Sequence, residues 1–398
     1  MKEVKLKANT SSGSGRVRRF TLPDGKTRIT QITTFCPDMI GPGPTHVYVI
    51  EGEALVMLDA GIPTYLAKLF FYHWRNQPLP PEVGSLAADH SEQELLDGFK
   101  LAGYSPADID LLVISHGHLD HFMLAPAILA RCNARVAAHV IDTPGLCNPW
   151  ALLHMFISRQ DQMLATGMPP AYKSRERIRE AVEGGFGWDP NAFAVKVDAP
   201  LLEEGPLRVN GSAIPGLEVL HIPGHTPGSV GLLVGPEGGK VLMCGDVLLF
   251  PITPHPDELF VYLQTLQRLK SLEGVGLVLP AHGKAIHDLR ARVEFLHLHH
   301  KKRLKATYEA CREPRCVWDI AAMPKYFDTY VDPGKFNFLA GSEALVHMEM
   351  LAMVNGLSRS HIADSVHYFQ NSGEPFDEVY NRIVERMESG SVAPLMRY

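Results

Sequence analysis

The chain has 398 residues, 45% hydrophobic and 21% charged, with 38 Lys plus Arg against 44 Asp plus Glu for a formal net charge of −6. This length is enough for two or three domains with a large core, and so mild an acidity offers no general field to nucleic acid or anionic lipid. No apolar run approaches the roughly 18–20 residues of a membrane helix, the N-terminus has no signal-peptide core, and six cysteines are too sparse for a disulfide framework, so a cytoplasmic location is expected.

Residues 1–20 are polar and include Ser11-Ser12-Gly13-Ser14-Gly15, which predicts an N-terminal arm, either flexible and loose or docked at an edge. Apolar alternation predicts strands over 28–34, 46–50 and 54–58, the last closed by Asp59-Ala60-Gly61. A helix is expected over 92–101, then a buried strand over 111–114. Further strands are expected at 135–139, 217–222, 230–234, 240–244 and 276–279, with helices at 124–131, 258–272 and 291–312. Strands and helices in this order predict an α+β protein of layered sheets covered by helices, not a doubly wound sheet.

The segment 143–200 interrupts the pattern with Trp150, Met155, Phe156, Met163, Met168, Phe186, Trp188 and Phe193. It is expected to form a helical, lid-like insertion whose Met and aromatic side chains wall a pocket for an apolar substrate portion. Residues 291–398 are mainly helical, so the domains expected are an arm at 1–20, a main domain at 21–290 and a smaller one at 291–398.

Chemistry concentrates in Ser115-His116-Gly117-His118-Leu119-Asp120-His121, directly after the strand 111–114. In extended chain, side chains two apart point the same way, so His116 and His118 face one ion. Asp120 and His121 fall where the chain turns into a helix and aim at a second ion nearby. Imidazole and carboxylate suit zinc, with iron or manganese as alternatives. His225 in Pro223-Gly224-His225-Thr226-Pro227-Gly228, Asp246 in Cys244-Gly245-Asp246 and His282 in Pro280-Ala281-His282-Gly283 each follow an apolar strand, with turn residues beside them. His255 lies shortly after Asp246 and is a candidate for the pocket mouth. His297, His299 and His300 lead into Lys301-Lys302-Arg303 and are expected on a solvated helix face.

At these residues the sequence resembles the metallo-β-lactamase superfamily, over roughly 28–300 apart from the 143–200 interruption. The resemblance implies an αββα sandwich with the metal site at one edge. It implies that His116, His118 and His225 bind a first metal, that Asp120, His121 and His282 bind a second, and that Asp246 bridges both. Asp59 matches the family's first acidic motif, which supports the metal loop. Two zinc ions so held activate a bridging hydroxide at neutral pH, with Asp120 and Asp246 as the catalytic carboxylates.

The C-terminal part, with a short helix near 317–320, a longer one over 342–355, a hairpin over 356–368 and a final helix over 374–387, resembles a winged-helix-like domain of one branch of the superfamily. The 342–355 helix carries Glu343 and Glu349 but no Lys or Arg, the wrong balance for phosphates. The expected activity is hydrolysis of a small carboxyl ester, an acyl thioester or a lactone, with a phosphodiesterase or single-strand endoribonuclease as the alternative. The expected partners are a small molecule with an apolar acyl portion and a second copy of the chain in a homodimer, not a membrane or nucleic acid.

Overall fold

The computed structural model describes residues 1–8, 13–37, 43–75, 79–151, 165–169, 189–335 and 337–389. These divide into two compact units: residues 1–151, 189–254 and 272–289 in the first, and 165–169, 255–271 and 290–389 in the second.

In the first unit eight strands pair in chain order: β1 (Lys2–Lys7), β2 (Val17–Thr21), β3 (Arg28–Thr34), β4 (Thr45–Glu51), β5 (Leu55–Leu58), β6 (Leu111–Ile114), β7 (Arg135–His139) and β8 (Ala199–Leu201). The meander β1 to β5 is antiparallel, and β5 to β8 run parallel. The second sheet holds β9 (Gly205–Val209), β10 (Ser212–His221), β11 (Val230–Val234), β12 (Lys240–Met243) and β13 (Val275–Leu279), in the order β13-β12-β11-β10-β9. Its neighbours are antiparallel except β12 and β13.

The two sheets share one core. Ile50, Leu58, Leu111 and Val113 of the first meet Leu217, Val219, Leu232, Met243 and Leu279 of the second in a single buried cluster. β6 is buried along its whole length, as a parallel strand covered on both faces must be. With Leu111 and Val113 turned into the cluster, Leu112 and Ile114 face the other way.

The helix His90–Ala102 packs on the first sheet. Its buried residues Ser91, Glu94, Leu95, Gly98, Phe99 and Ala102 recur at helical spacing, and it stops at Gly103, where φ is +82°. At Gly98 the helix comes so close to β3 that a Cβ there would stand 2.5 Å from Ile32 Cγ2.

Of the two forms expected for the arm, the structure shows the edge-docked one and corrects the flexible one. Residues 2–7 and 17–21 add two antiparallel strands to the sheet. Ser14 is fully buried and its hydroxyl donates to Glu94 Oε1 at 2.5 Å, while Gly15 N–H donates to Thr33 O at 2.7 Å. The arm's polar composition follows from β1 being an edge strand whose side chains are mostly exposed. Residues 9–12 lie outside the described residues, as do 152–164 and 170–188 of the expected insertion with Met155, Phe156, Met163, Phe186 and Trp188. Of that segment's other marked residues, Met168 and Phe193 are buried. The helix Thr64–Arg75, which no sequence pattern announced, begins with Leu66 and Ala67 fully buried.

The second unit gathers the helices Leu259–Lys270, Val317–Ala321, Phe338–Met353 and Phe376–Glu388, most of the helix Leu289–Ala310, and an antiparallel hairpin of β14 (Leu357–Ala363) and β15 (Val366–Asn371). The helix Leu259–Lys270 was expected in the main domain but falls in this unit. Tyr262 stacks edge-on against the His300 ring, and Lys270 pairs with Glu294. The expected solvated histidine face is also corrected, since His300 is 0% exposed. Its Nδ1 lies 3.2 Å from His347 Nε2, and Arg303 and Glu343 pair beside them. Among the described residues, no helix is long and apolar enough to cross a membrane.

Two outcomes test this packing. Gly98→Ala should cost about 1–3 kcal/mol of stability in denaturant titration, and in an Ile32→Ala background the same change should cost less, because the atoms its methyl meets are gone. Burial, then the neighbouring imidazoles and Arg303, hold His300 and His347 neutral, well below the ordinary imidazole value. Unfolding exposes them to protonation, so their contribution is complete above pH ~6.5 and is lost as pH falls below it. His300→Gln should therefore lower by about one the protons taken up on unfolding near pH 5; an unchanged pH dependence of Tm would contradict it.

Candidate metal centre

Seven side chains meet where strands of both sheets end. His116 and His118 follow β6, Asp120 and His121 sit on the single-turn helix Leu119–Phe122, and His225, Asp246 and His282 follow β10, β12 and β13. His118 keeps an extended backbone at φ −75° and ψ 146° before that helix, which lets it converge with His116. His118 Nδ1 stands 3.0 Å from His116 Nε2 and 3.1 Å from His225 Nε2. With Asp246 these three form one group of potential ligands, and Asp120, His121 and His282 form another.

Asp246 lies between them. Its Oδ2 is 3.7 Å from His225 Nε2 and 3.6 Å from His121 Nε2, while its Oδ1 is 3.5 Å from His282 Nε2. His282 Nε2 is also 3.3 Å from Asp120 Oδ2.

The outer ring nitrogens are held from behind. His121 Nδ1 donates to Asp59 Oδ2 at 2.8 Å, which leaves Nε2 facing the centre. His282 Nδ1 lies 3.1 Å from the Gly43 carbonyl and 3.2 Å from that of Pro44, with the same effect. Asp59 also accepts from the Ser115 N–H at 2.7 Å and the Ser115 hydroxyl at 2.8 Å, and that hydroxyl stands 3.0 Å from His116 Nδ1. Such partners fix ring orientation and raise ligand basicity. Behind His282, Tyr48 donates to the Pro280 carbonyl at 2.6 Å, and His46 N–H to that of Ala281 at 2.7 Å.

The donor set fits a cation. His121 Nε2, His282 Nε2 and Asp246 Oδ1 are buried without a hydrogen-bond partner among the described residues, and such orphaned polar atoms are costly unless something else satisfies them. Burial opposes ionisation of Asp246, yet His282 and His121 hold its carboxyl well below the usual carboxylate range. Burial likewise opposes a charged His121, yet Asp59, Asp120 and Asp246 raise it well above the ordinary value. The carboxylates thus rely on imidazoles for positive charge, and a metal ion supplies that charge directly.

Ser115 and the carbonyls of Gly43 and Pro44 were not assigned roles from sequence. Ser115 adjoins the histidine motif, a signal that was available; backbone carbonyls leave none. Cys36 was also missed; its thiol lies 4.0 Å from Asp120 Oδ2. His255 belongs to the second unit, where its Nδ1 is 3.4 Å from Glu343 Oε2. A further group there, His299, His300 and Glu343, has metal-compatible donors, but the Arg303 guanidinium already occupies the Glu343 carboxylate.

Fold and site together define a metallo-hydrolase architecture. The family model described as metallo-beta-lactamase superfamily matches residues 40–296, well over half of the chain, and the protein belongs to that superfamily. Among similar proteins, the probable metallo-hydrolase YqjP of Bacillus subtilis (strain 168) is 25% identical over 275 residues, covering 65% of this chain and 73% of its own. An N-acyl homoserine lactonase of Bacillus sp is 23% identical over 225 residues, covering 54% of this chain and 68% of its own. Two solved structures share the fold. The metallo-beta-lactamase family protein TTHA1429 of Thermus thermophilus aligns with a TM-score of 0.63 at 21% identity, over 86% of this chain and 98% of its own. A beta-lactamase domain protein of Burkholderia ambifaria aligns with a TM-score of 0.62 at 20% identity, over 92% and 96%.

Asp59→Ala should weaken zinc binding about 10–100-fold in competition with a chromophoric chelator. An unchanged affinity would show that Asp59 is dispensable to the centre.

Proposed function

We propose that this protein is a dinuclear-metal hydrolase of carboxyl esters, with lactones and acyl thioesters as the substrate class. The observation that carries this reading is Asp246, whose Oδ2 lies 3.7 Å from His225 of one ligand group and 3.6 Å from His121 of the other, while its Oδ1 lies 3.5 Å from His282, a placement that would let one carboxylate serve two ions. His116, His118 and His225 would hold one ion, and Asp120, His121 and His282 the other. Zinc suits these nitrogen and oxygen donors, and iron or manganese are compatible. When bound, a metal pair supplies Lewis acidity and lowers the pKa of water to about 7, which makes a nucleophile available at neutral pH.

The protein's own groups set the geometry for that chemistry. Asp59 keeps the Nδ1 proton on His121, and the Gly43 and Pro44 carbonyls keep that of His282, so both rings present Nε2 as acceptors. Asp120 is the carboxylate that orients the attacking water and carries its proton toward the leaving group. No serine or cysteine nucleophile is needed. Cys244, next to the site, is fully buried and its thiol is pushed up to about 12 by burial, so it stays protonated and unreactive.

The lactone choice is supported by the N-acyl homoserine lactonase among the similar proteins and by the acidic net charge, which disfavours a polyanionic substrate. We read the hairpin of β14 and β15, set between the helices Phe338–Met353 and Phe376–Glu388, as the wing of a winged-helix-like domain.

Purified protein should bind close to two zinc equivalents and hydrolyse N-acyl homoserine lactones or acyl thioesters. Chelation should abolish turnover, and zinc should restore it. Asp120→Asn should lower kcat about 10²–10⁴-fold in a chain that melts like the parent. Cleavage of a labelled oligonucleotide, with no metal-dependent turnover of any ester, would replace this reading with the phosphodiesterase one.

A further inference from the structure

We propose that Asp142 is a positioning residue for the first ligand group, a clamp that sets the spacing between the His116-His118 loop and the His225 loop. Asp142 lies just before the helix Thr143–Cys147, at the position where an aspartate ordinarily accepts from its own helix. Here the side chain makes no such cap bond. Instead its Oδ2 accepts from the Gly117 N–H at 2.9 Å, and Gly117 is the residue between His116 and His118.

The same carboxylate occupies the space beside Gly228. A Cβ at that glycine would stand 2.4 Å from both Cγ and Oδ1 of Asp142. Gly228 has no positive φ, so what excludes a side chain there is the carboxylate and not the backbone. One planar group therefore fills the gap between two loops that together carry three imidazoles.

A second contact braces the turn that carries Asp142 against the His225 loop. The rings of His139 and His221 stack 4.1 Å apart at an interplanar angle of 8°, and His221 Nε2 lies 2.9 Å from the Pro227 carbonyl. Asp142 N–H donates to His139 O at 3.0 Å, so the stack and the clamp belong to one turn. The His118 Nδ1 to His225 Nε2 distance of 3.1 Å spans the very loops that this turn holds. Small displacements of such a ligand pair change metal affinity strongly. Asp120 and His121 sit beyond that loop on the helix Leu119–Phe122, and His282 follows β13.

This inference rests on the proposed metal site, and the test separates the two. Zinc alone is the probe, with affinities of both equivalents read by chelator competition at fixed pH. Wild-type protein should bind two equivalents; if it binds none, the metal reading itself fails. Given two, Asp142→Ala should weaken one equivalent about 10–100-fold and leave the other near wild type. Asp142→Asn, which keeps an oxygen acceptor and the same volume, should restore most of the loss.

Gly228→Ala leaves the Asp142 to Gly117 hydrogen bond available but drives a methyl into the carboxylate, and should weaken the same equivalent. In the Asp142→Ala background it should cost little more, because the atoms it meets are gone. Equal affinity for both equivalents in Asp142→Ala and Gly228→Ala would overturn the clamp. So would strictly additive costs in the double variant, or a uniform loss at both equivalents. If Asp142→Ala does not fold, Gly228→Ala and Asp142→Asn decide alone.

Discussion

The centre depends on one buried carboxylate. Asp59 accepts three short hydrogen bonds, from the backbone and hydroxyl of Ser115 and from His121, while only 1% exposed. A charge so placed is tolerable only when hydrogen-bonded on all sides. Its backbone is left-handed, at φ +61°, a conformation that aspartate tolerates better than most residues. That turn points the Asp59 N–H at Val113 O and the Ala60 N–H at His121 O. The end of β5 is thereby fastened to β6 and to the far end of the motif that follows it. The strain, the charge and the ligand orientation are one arrangement, and removing the carboxylate leaves the other parts without a reason to hold.

The legibility of the site in the sequence has a physical basis. The donor segments all follow the ends of apolar strands, with Gly or Pro among them, and a strand end is a local property of the chain. His116, His118, Asp120 and His121 fall within one short stretch after β6, so their proximity needs no tertiary knowledge. His225, Asp246 and His282 meet them only because β10, β12 and β13 form a second sheet facing the first, which spacing alone does not dictate; family resemblance supplied that step. The buried β6, β7 and β11 have the bounds their apolar runs suggest, since a strand covered on both faces leaves little freedom in composition.

What escaped the sequence was decided by tertiary context. The N-terminal residues resemble a polar tail because an edge strand needs few apolar side chains, yet backbone pairing with β2 orders them. His300 precedes three basic residues, which suggests water, but its own side chain turns inward to His347. Asp142 bears no local mark at all. Its partners, Gly117 and Gly228, lie far from it along the chain, and it acts through a peptide N–H and the absence of a side chain.

The first sheet's edges have a consequence for association between copies. One edge is β1, which carries Lys2, Lys5 and Lys7 among its six residues. The other is β8, three residues long with Pro200 at its middle. A strand that approached β1 would bring its backbone against a row of ammonium groups, and one that approached β8 would find too few free donors and a proline where the ladder should continue. The large sheet is therefore self-limiting. The lysines of one edge and the short, proline-interrupted strand of the other work against strand addition at either side of this sheet.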